Sequence, residues 1–213
     1  MSISITLHRS GTSRTQQVDT TTTGLDLFGS DRAVVAMRVD GNLVDLQREL
    51  HDGAEVEPVE ATSEDGLNII RHSATHVMAQ AVQQLYPEVN LGIGPFITDG
   101  FYYDFGNIEP VTPEVLSEFE KRMKRIVKEN QRFVRRVTTE ESAREELADQ
   151  PYKLELIGTK GKGAEGASVE VGGGELTIYD NVRRNGEVAW KDLCRGPHVP
   201  STKYPVSYTH LRA

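Results

Sequence analysis

Two histidines, His72 and His76, stand four residues apart in Arg71-His72-Ser73-Ala74-Thr75-His76. On a helix that spacing stacks two side chains on one face. Far downstream, Asp192-Leu193-Cys194-Arg195-Gly196-Pro197-His198 holds the only cysteine, with a histidine four residues on. Three imidazoles and a thiol are a set that binds zinc or moves protons at neutral pH. Residue types alone leave a plainer alternative open. A free cysteine is commonly a small buried hydrophobe, and the four residues need not meet.

The elements around these residues decide whether they can meet. Asn68 to Tyr86 has helical periodicity, with Ile70, Ala74, Val77, Ala81 and Leu85 as an apolar stripe. At about 100° per residue, His72 and His76 fall nearly opposite that stripe, with Gln80 and Gln83 on their side. Histidines turned away from the apolar stripe need a second surface or a cavity. Tyr86-Pro87 stops the helix. Glu175 to Asp180 reads as a strand, Asn185-Gly186 as a hairpin turn, and Glu187 to Leu193 as the returning strand. That strand delivers Asp192, Cys194 and His198 to its end. Gly196-Pro197 rules out a regular helix there, so Cys194 and His198 ride on a loop.

The rest of the chain reads as support. Ile3, Ile5 and Leu7 alternate as in a half-buried strand, and Gln16 to Thr21 is the expected return. Thr23 to Phe28 is a short capped helix ended by Gly29; Ala33 to Val39 and Leu43 to Leu46 are strands about Asp40-Gly41. This pattern suggests a β-grasp module. The acidic stretch Val59 to Gly66 is the expected domain boundary. Leu91 to Phe105 reads as two short strands around Asp99-Gly100, and Thr112-Pro113 opens a second helix with apolar residues Val115, Phe119, Met123, Ile126 and Val127. Its far side carries Lys121, Lys124, Arg125, Lys128 and Arg132. They form either a solvated face or, with Arg135 and Arg136, a phosphate-binding one. A shorter helix is expected from Thr139 to Asp149, capped by Thr138 and Glu141. Tyr152 to Ile157 reads as a strand. The glycine-dense Gly158 to Gly174 lacks the Gly-x-x-x-x-Gly-Lys-Ser/Thr pattern and reads as a flexible connection.

Composition bounds the function. The chain has 213 residues, 26% charged and 37% hydrophobic, an ordinary globular balance with room for one large or two small domains. A formal net charge of −8 argues against indiscriminate nucleic-acid binding. No run approaches the ~18 apolar residues of a membrane span, and Met1 to Leu7 lacks the apolar block of a signal peptide. A single cysteine excludes an internal disulfide and suits a cytoplasmic location.

Three longer words make the pattern specific. Arg-His-Ser-Ala-Thr-His-Val-Met-Ala, Ile-Gly-Pro-Phe-Ile-Thr-Asp-Gly-Phe-Tyr-Tyr-Asp-Phe and Asp-Leu-Cys-Arg-Gly-Pro-His-Val-Pro resemble the editing domain of bacterial threonyl-tRNA synthetases. Leu25 to Phe28 and Val39 to Leu46 resemble the TGS domain that precedes it. The resemblance implies an α+β protein: a TGS β-grasp domain at 1–62, an editing domain at 63–204 with its histidine helix against a mostly antiparallel sheet, and a non-native tail at 205–213. It implies an N-terminal fragment without the catalytic domain, which in the family joins threonine to its tRNA using ATP, Mg and Zn. The fragment itself would hydrolyse serine wrongly attached to threonine tRNA.

The resemblance also assigns roles. His72, Lys153, Cys194 and His198 are the expected catalytic residues; His76, Tyr103 and Asp192 are the expected substrate-binding ones, with Asp192 on the substrate's ammonium group. Editing in the threonyl family implies no metal. The related alanyl editing domains, which share only the His-x-x-x-His and Cys-x-x-x-His elements, imply zinc on His72, His76, Cys194 and His198. The implied partner is threonine tRNA through its aminoacylated 3′ end, with no membrane; the fragment is expected to be a monomer and the whole enzyme a homodimer. Two alternatives stand beside this reading: a zinc-dependent hydrolase of another aminoacyl-tRNA, and a tRNA-binding module without chemistry.

Overall fold

The computed structural model describes residues 1–159 and 175–204 and shows an α+β chain. The remaining glycine-dense residues, 160–174, and the tail at 205–213 lie outside the described residues. The chain divides into two compact units. One holds Met1–Ile70 and Pro197–Pro200, and the other Arg71–Gly196 with the residues from Ser201 onward.

In the first unit, alternation produces a five-stranded mixed sheet. Strands β1 (Ser2–Arg9), β2 (Thr12–Asp19), β3 (Val34–Val39), β4 (Asn42–Val44) and β5 (Glu55–Glu60) lie in the order β2-β1-β5-β3-β4. β1 and β5 run parallel; the other pairs are antiparallel. Asp40 and Gly41 take φ of 50° and 80°, the left-handed pair that a two-residue hairpin turn requires. Helix α1 (Gly24–Phe28) is capped as expected: the Asp26 carboxylate accepts from the Thr23 N–H at 2.8 Å and from its hydroxyl at 2.7 Å. Ile5, Phe28, Val34, Met37, Leu46, Leu50, Ala54 and Val56 form the core. The expected strand Leu43 to Leu46 ends early, at Val44. Leu46 leaves the ladder to fill that core, and Asp45 is buried with its carboxylate on the His198 N–H at 2.7 Å.

Helix α2 (Glu64–Leu85) stops just before Tyr86-Pro87, as proline demands. Every residue from His72 to Val82 is buried, so the face opposite the apolar stripe is covered too. Its cover comes from a three-stranded antiparallel sheet, order β10 (Arg132–Val137), β11 (Thr177–Val182), β12 (Val188–Leu193). Asn181 on β11 donates to Gln80 Oε1 at 2.8 Å, and Trp190 on β12 donates to Gln83 Oε1 at 2.6 Å. The two glutamines that shared the histidine face thus bond the helix to the sheet. β11 is buried at all six positions, with the charge of Asp180 met by Arg136 on β10 at 2.7 Å.

Two short pairs, β6 (Asn90–Leu91) with β9 (Phe105–Gly106) and β7 (Phe96–Ile97) with β8 (Gly100–Phe101), shape the segment expected as two strands. Helix α3 (Pro113–Glu129) has Thr112 as cap and proline at its first position, and buries Phe119, Met123 and Ile126.

Three local readings are corrected. The arginine-rich Arg132–Val137 is strand β10; its charges masked a pattern in which Phe133 alone is deeply buried. Helix α4 (Glu140–Glu146) is capped by Thr139, whose hydroxyl accepts from the Ser142 N–H at 3.2 Å, instead of by Thr138. Tyr152 to Ile157 is helical, within α5 (Pro151–Thr159), which also takes in Gly158. The short apolar run had no period long enough to exclude either structure. As a helix it places Lys153, Leu156 and Ile157 on one buried face, where a strand would have put Leu156 opposite the other two.

Candidate active site

The sheet and α2 bring the downstream word to the upstream one. Cys194 follows β12 directly. Its N–H donates to the Thr177 carbonyl at 3.1 Å, and its own carbonyl accepts from the Thr177 hydroxyl. With its backbone held from both sides, its sulfur sits 3.0 Å from His72 Nε2 across 122 residues of sequence. The Gly196 N–H also points at that sulfur, at 3.2 Å. Gly196 has φ of 74°, a left-handed conformation that turns the loop back toward Cys194.

His72 and His76 lie with ring centroids 5.4 Å apart. His76 is also packed edge-on against Trp190 at 5.3 Å and Phe133 at 6.3 Å. Burial holds His72 at about 4, with Lys153 and Arg195 adding unfavourable positive charge. His76 is held well below its usual range, by burial first and then by His72 and Lys153. Both rings are therefore neutral at pH 7.

Within the second unit, the ligand atoms of His72, His76 and Cys194 lie within 4.8 Å of one another, and all three residues are buried. This group can hold a metal ion such as zinc, since imidazole and thiol donors suit it.

A second cluster adjoins His72. Lys153 Nζ lies 3.1 Å from Asp192 Oδ2, with both side chains buried. The Tyr103 hydroxyl donates to the same oxygen at 3.0 Å, and the Leu193 N–H donates to Oδ1 at 2.8 Å. Burial pushes the Asp192 carboxyl above its usual range, opposed first by Lys153 and then by these donors. Lys153 Nζ also lies 5.8 Å from the centre of the Tyr103 ring, which is stacked on Phe105 at 4.8 Å. Lys153, read from sequence as a strand residue, thus reaches Asp192 from a helix.

Of the expected site residues, His72, His76 and Cys194 meet, and so do Lys153, Asp192 and Tyr103. Sequence reading missed Trp190 and Phe133, which enclose His76. A tryptophan in an alternating strand opposite Gln83 was the one available signal. Two residues of the basic face of α3 are paired within the helix: Lys121 with Glu118 at 2.6 Å and Lys124 with Glu120 at 3.9 Å. Arg136 is engaged by Glu146 and Asp180, and Arg135 by Glu175.

No family model matches the chain. Curated relatives do. A threonine–tRNA ligase of Streptomyces avermitilis is 59% identical over 213 residues, covering 99% of this chain and 32% of the relative. The corresponding ligase of Streptomyces griseus is 60% identical over 198 residues, 92% of this chain and 30% of the relative. That of Bifidobacterium longum is 54% identical over 190 residues, 89% and 28%. The chain is similar to threonine–tRNA ligases over nearly all of its length and spans about a third of the length of these curated relatives. Among its described residues, no helix is long and apolar enough to cross a membrane.

Proposed function

We propose that this part of a threonine–tRNA ligase hydrolyses seryl esters on threonine tRNA, and that residues 63–204 are its editing domain and 1–62 a TGS module. The observation that carries the reading is the 3.0 Å approach of His72 to Cys194 beside the buried Lys153–Asp192 pair. Similarity to ligases of that name supports tRNA as the partner. The need is physical. Serine lacks one methyl of threonine, and a methyl supports only about 1–3 kcal/mol of discrimination in synthetase pockets generally. A second pocket that accepts serine and rejects the larger residue removes the error.

Hydrolysis adds water across the ester. Water attacks the carbonyl carbon and gives up a proton, the carbon–oxygen bond to the ribose breaks, and the ribose oxygen takes a proton. Neutral His72 positions the water and accepts its proton, directly or through the vicinal ribose hydroxyl. Cys194, held by His72 and the Gly196 N–H, walls the water site, and His198 follows it on the same loop. Lys153 faces the developing oxyanion and supplies the proton for the leaving oxygen. His76, enclosed by Trp190 and Phe133, orients His72. Asp192 takes the substrate's ammonium group by exchange with the Lys153 and Tyr103 contacts on its Oδ2.

Zinc, if bound, would be held by His72, His76, Cys194 and His198, and would knit the site together. Four protein ligands leave no open position for water, so we assign hydrolysis to the metal-free site. One rival remains, a zinc-dependent hydrolase of another aminoacyl ester, which would require one of these residues to leave a ligand position to water. Elemental analysis of protein purified without chelator decides between them: one zinc per chain, lost together with activity, overturns the metal-free assignment.

The decisive assay is deacylation. The chain is expected to release serine but not threonine from threonine tRNA. Cys194→Ala and His72→Ala are each expected to slow release by about 100-fold or more, with the circular dichroism spectrum retained. Binding of tRNA with no release by folded protein would leave a binding module. ATP-dependent attachment of threonine, the homodimer and a cytoplasmic setting belong, in this proposal, to the whole enzyme; the fragment is a monomer.

A further inference from the structure

Gly94 lies in the segment that faces Tyr103, outside the residues given a role above. A β-carbon built on it would stand 2.4 Å from Tyr103 Cδ2, 2.6 Å from Cε2 and 3.2 Å from Thr75 Cβ. The first two are closer than carbon atoms can pack, so an added methyl must displace something.

The backbone around Gly94 cannot give way cheaply. Gly92 donates to the Asp104 carbonyl at 2.9 Å, Asp104 donates to the Ile93 carbonyl at 3.0 Å, and Tyr102 donates to the Pro95 carbonyl at 3.3 Å. Gly94 is thus hydrogen-bonded into register with Tyr103 on both flanks. Thr75, one turn of α2 from His72 and next to His76, closes the remaining side and is itself buried. Behind the Tyr103 ring, Phe105 stacks at 4.8 Å with planes 16° apart. The ring therefore sits in a slot bounded by the bare backbone of Gly94 at its Cδ2 and Cε2 atoms and by Phe105 stacked on it. Its hydroxyl emerges from that slot to donate to Asp192 Oδ2 at 3.0 Å, the oxygen that Lys153 also holds.

We infer that Gly94 is a positioning residue for the site: its missing side chain is the slot that aims the Tyr103 hydroxyl at Asp192. Through that oxygen it sets the poise of Lys153 and the reception of the substrate's ammonium group. The catalytic part of this inference rests on the hydrolytic reading; the geometric part does not.

A double-mutant cycle tests both. Gly94→Ala, Tyr103→Phe and the double variant are compared with the parent chain by urea unfolding and by deacylation of seryl-tRNA(Thr). Tyr103→Phe deletes the hydroxyl and keeps the ring. Gly94→Ala moves the ring, so the hydroxyl loses its partner. If the inference holds, the double variant is no less stable than Gly94→Ala alone, because the bond is lost only once. Deacylation follows the same rule: each single variant lowers kcat/KM by about 10-fold, as for one charge-assisted hydrogen bond, and the double variant lowers it no further. The loss lies mainly in KM if ammonium reception suffers, a split that mere loosening of the fold would not produce. Additive losses in unfolding would overturn the inference. Coupled unfolding with a parent chain that releases no serine would keep the seat of Tyr103 and sink the hydrolytic reading instead. Coupled unfolding with undiminished deacylation in Gly94→Ala would remove Gly94 from catalysis.

Discussion

The chemistry of single residues here is governed by burial. His72 is held at about 4, first by the loss of water and then by Lys153 and Arg195. A histidine general base of ordinary pKa would lose activity below about pH 6.5. This one stays neutral further down, so the acid limb of kcat/KM for deacylation is expected near pH 4 instead of 6.5. A pH–rate profile on metal-free protein measures it. Lys153 and Asp192 make a complementary case. Two charges buried 3.1 Å apart need each other more than the protein needs the pair. Lys153→Met strands a buried carboxylate and is expected to cost roughly 3–5 kcal/mol in urea unfolding, whereas Lys153→Met with Asp192→Leu recovers much of that loss. Both abolish the proposed hydrolysis, which separates stability from function.

Elements carry these residues by mechanisms of differing legibility. The end of α2 was readable at Tyr86-Pro87, and the start of α3 at Thr112-Pro113, because proline and side-chain caps act locally. The start of α4 was misplaced by one residue, since Thr138 and Thr139 have the same side chain and only backbone geometry chooses between them. Thr139→Ala is expected to destabilise by about 1 kcal/mol, and Thr138→Ala to be nearly neutral, in chemical denaturation. Helix α5 was read as a strand because six residues with three large apolar ones fit either period. Packing against Ala143, Leu147, Ile178 and Leu193 settles the matter, since only the helix buries Leu156 and Ile157 together. Strand β10 stayed hidden because Arg135 and Arg136 take their partners, Glu175, Glu146 and Asp180, from other parts of the chain.

Across the molecule, charge is spent on internal pairing. Glu146 accepts from Arg136 at 2.8 and 2.6 Å and from Lys191 at 2.9 Å, while Arg136 also holds Asp180. Arg136, more than any other group, lowers the Glu146 carboxyl from 4.5 to about 2. A carboxyl depressed in the folded state contributes stability that is complete above its unfolded pKa and is lost on acidification through its folded one. Stability is therefore expected to fall between about pH 4.5 and 2, and Arg136→Met to flatten that part of the curve, as followed by urea midpoints across pH.

The sequence alone carried the likeness to threonine–tRNA ligases, the α+β class and the candidate chemistry. These reside in local words: histidines one turn apart, a Cys-x-x-x-His bend, prolines and caps at helix ends. It also announced, through His72, His76, Gln80 and Gln83 opposite the apolar stripe, that α2 needed a second partner. Tertiary structure alone decided what that partner was and which residues share an oxygen or a sulfur. The Lys153–Asp192–Tyr103 junction and the Trp190–Gln83 bond join positions tens of residues apart, and the slot at Gly94 brings Tyr103 close to Thr75 of α2. Such contacts depend on the register of β10, β11 and β12 and on the rotation of α2 and α5, which short-range spacing does not encode.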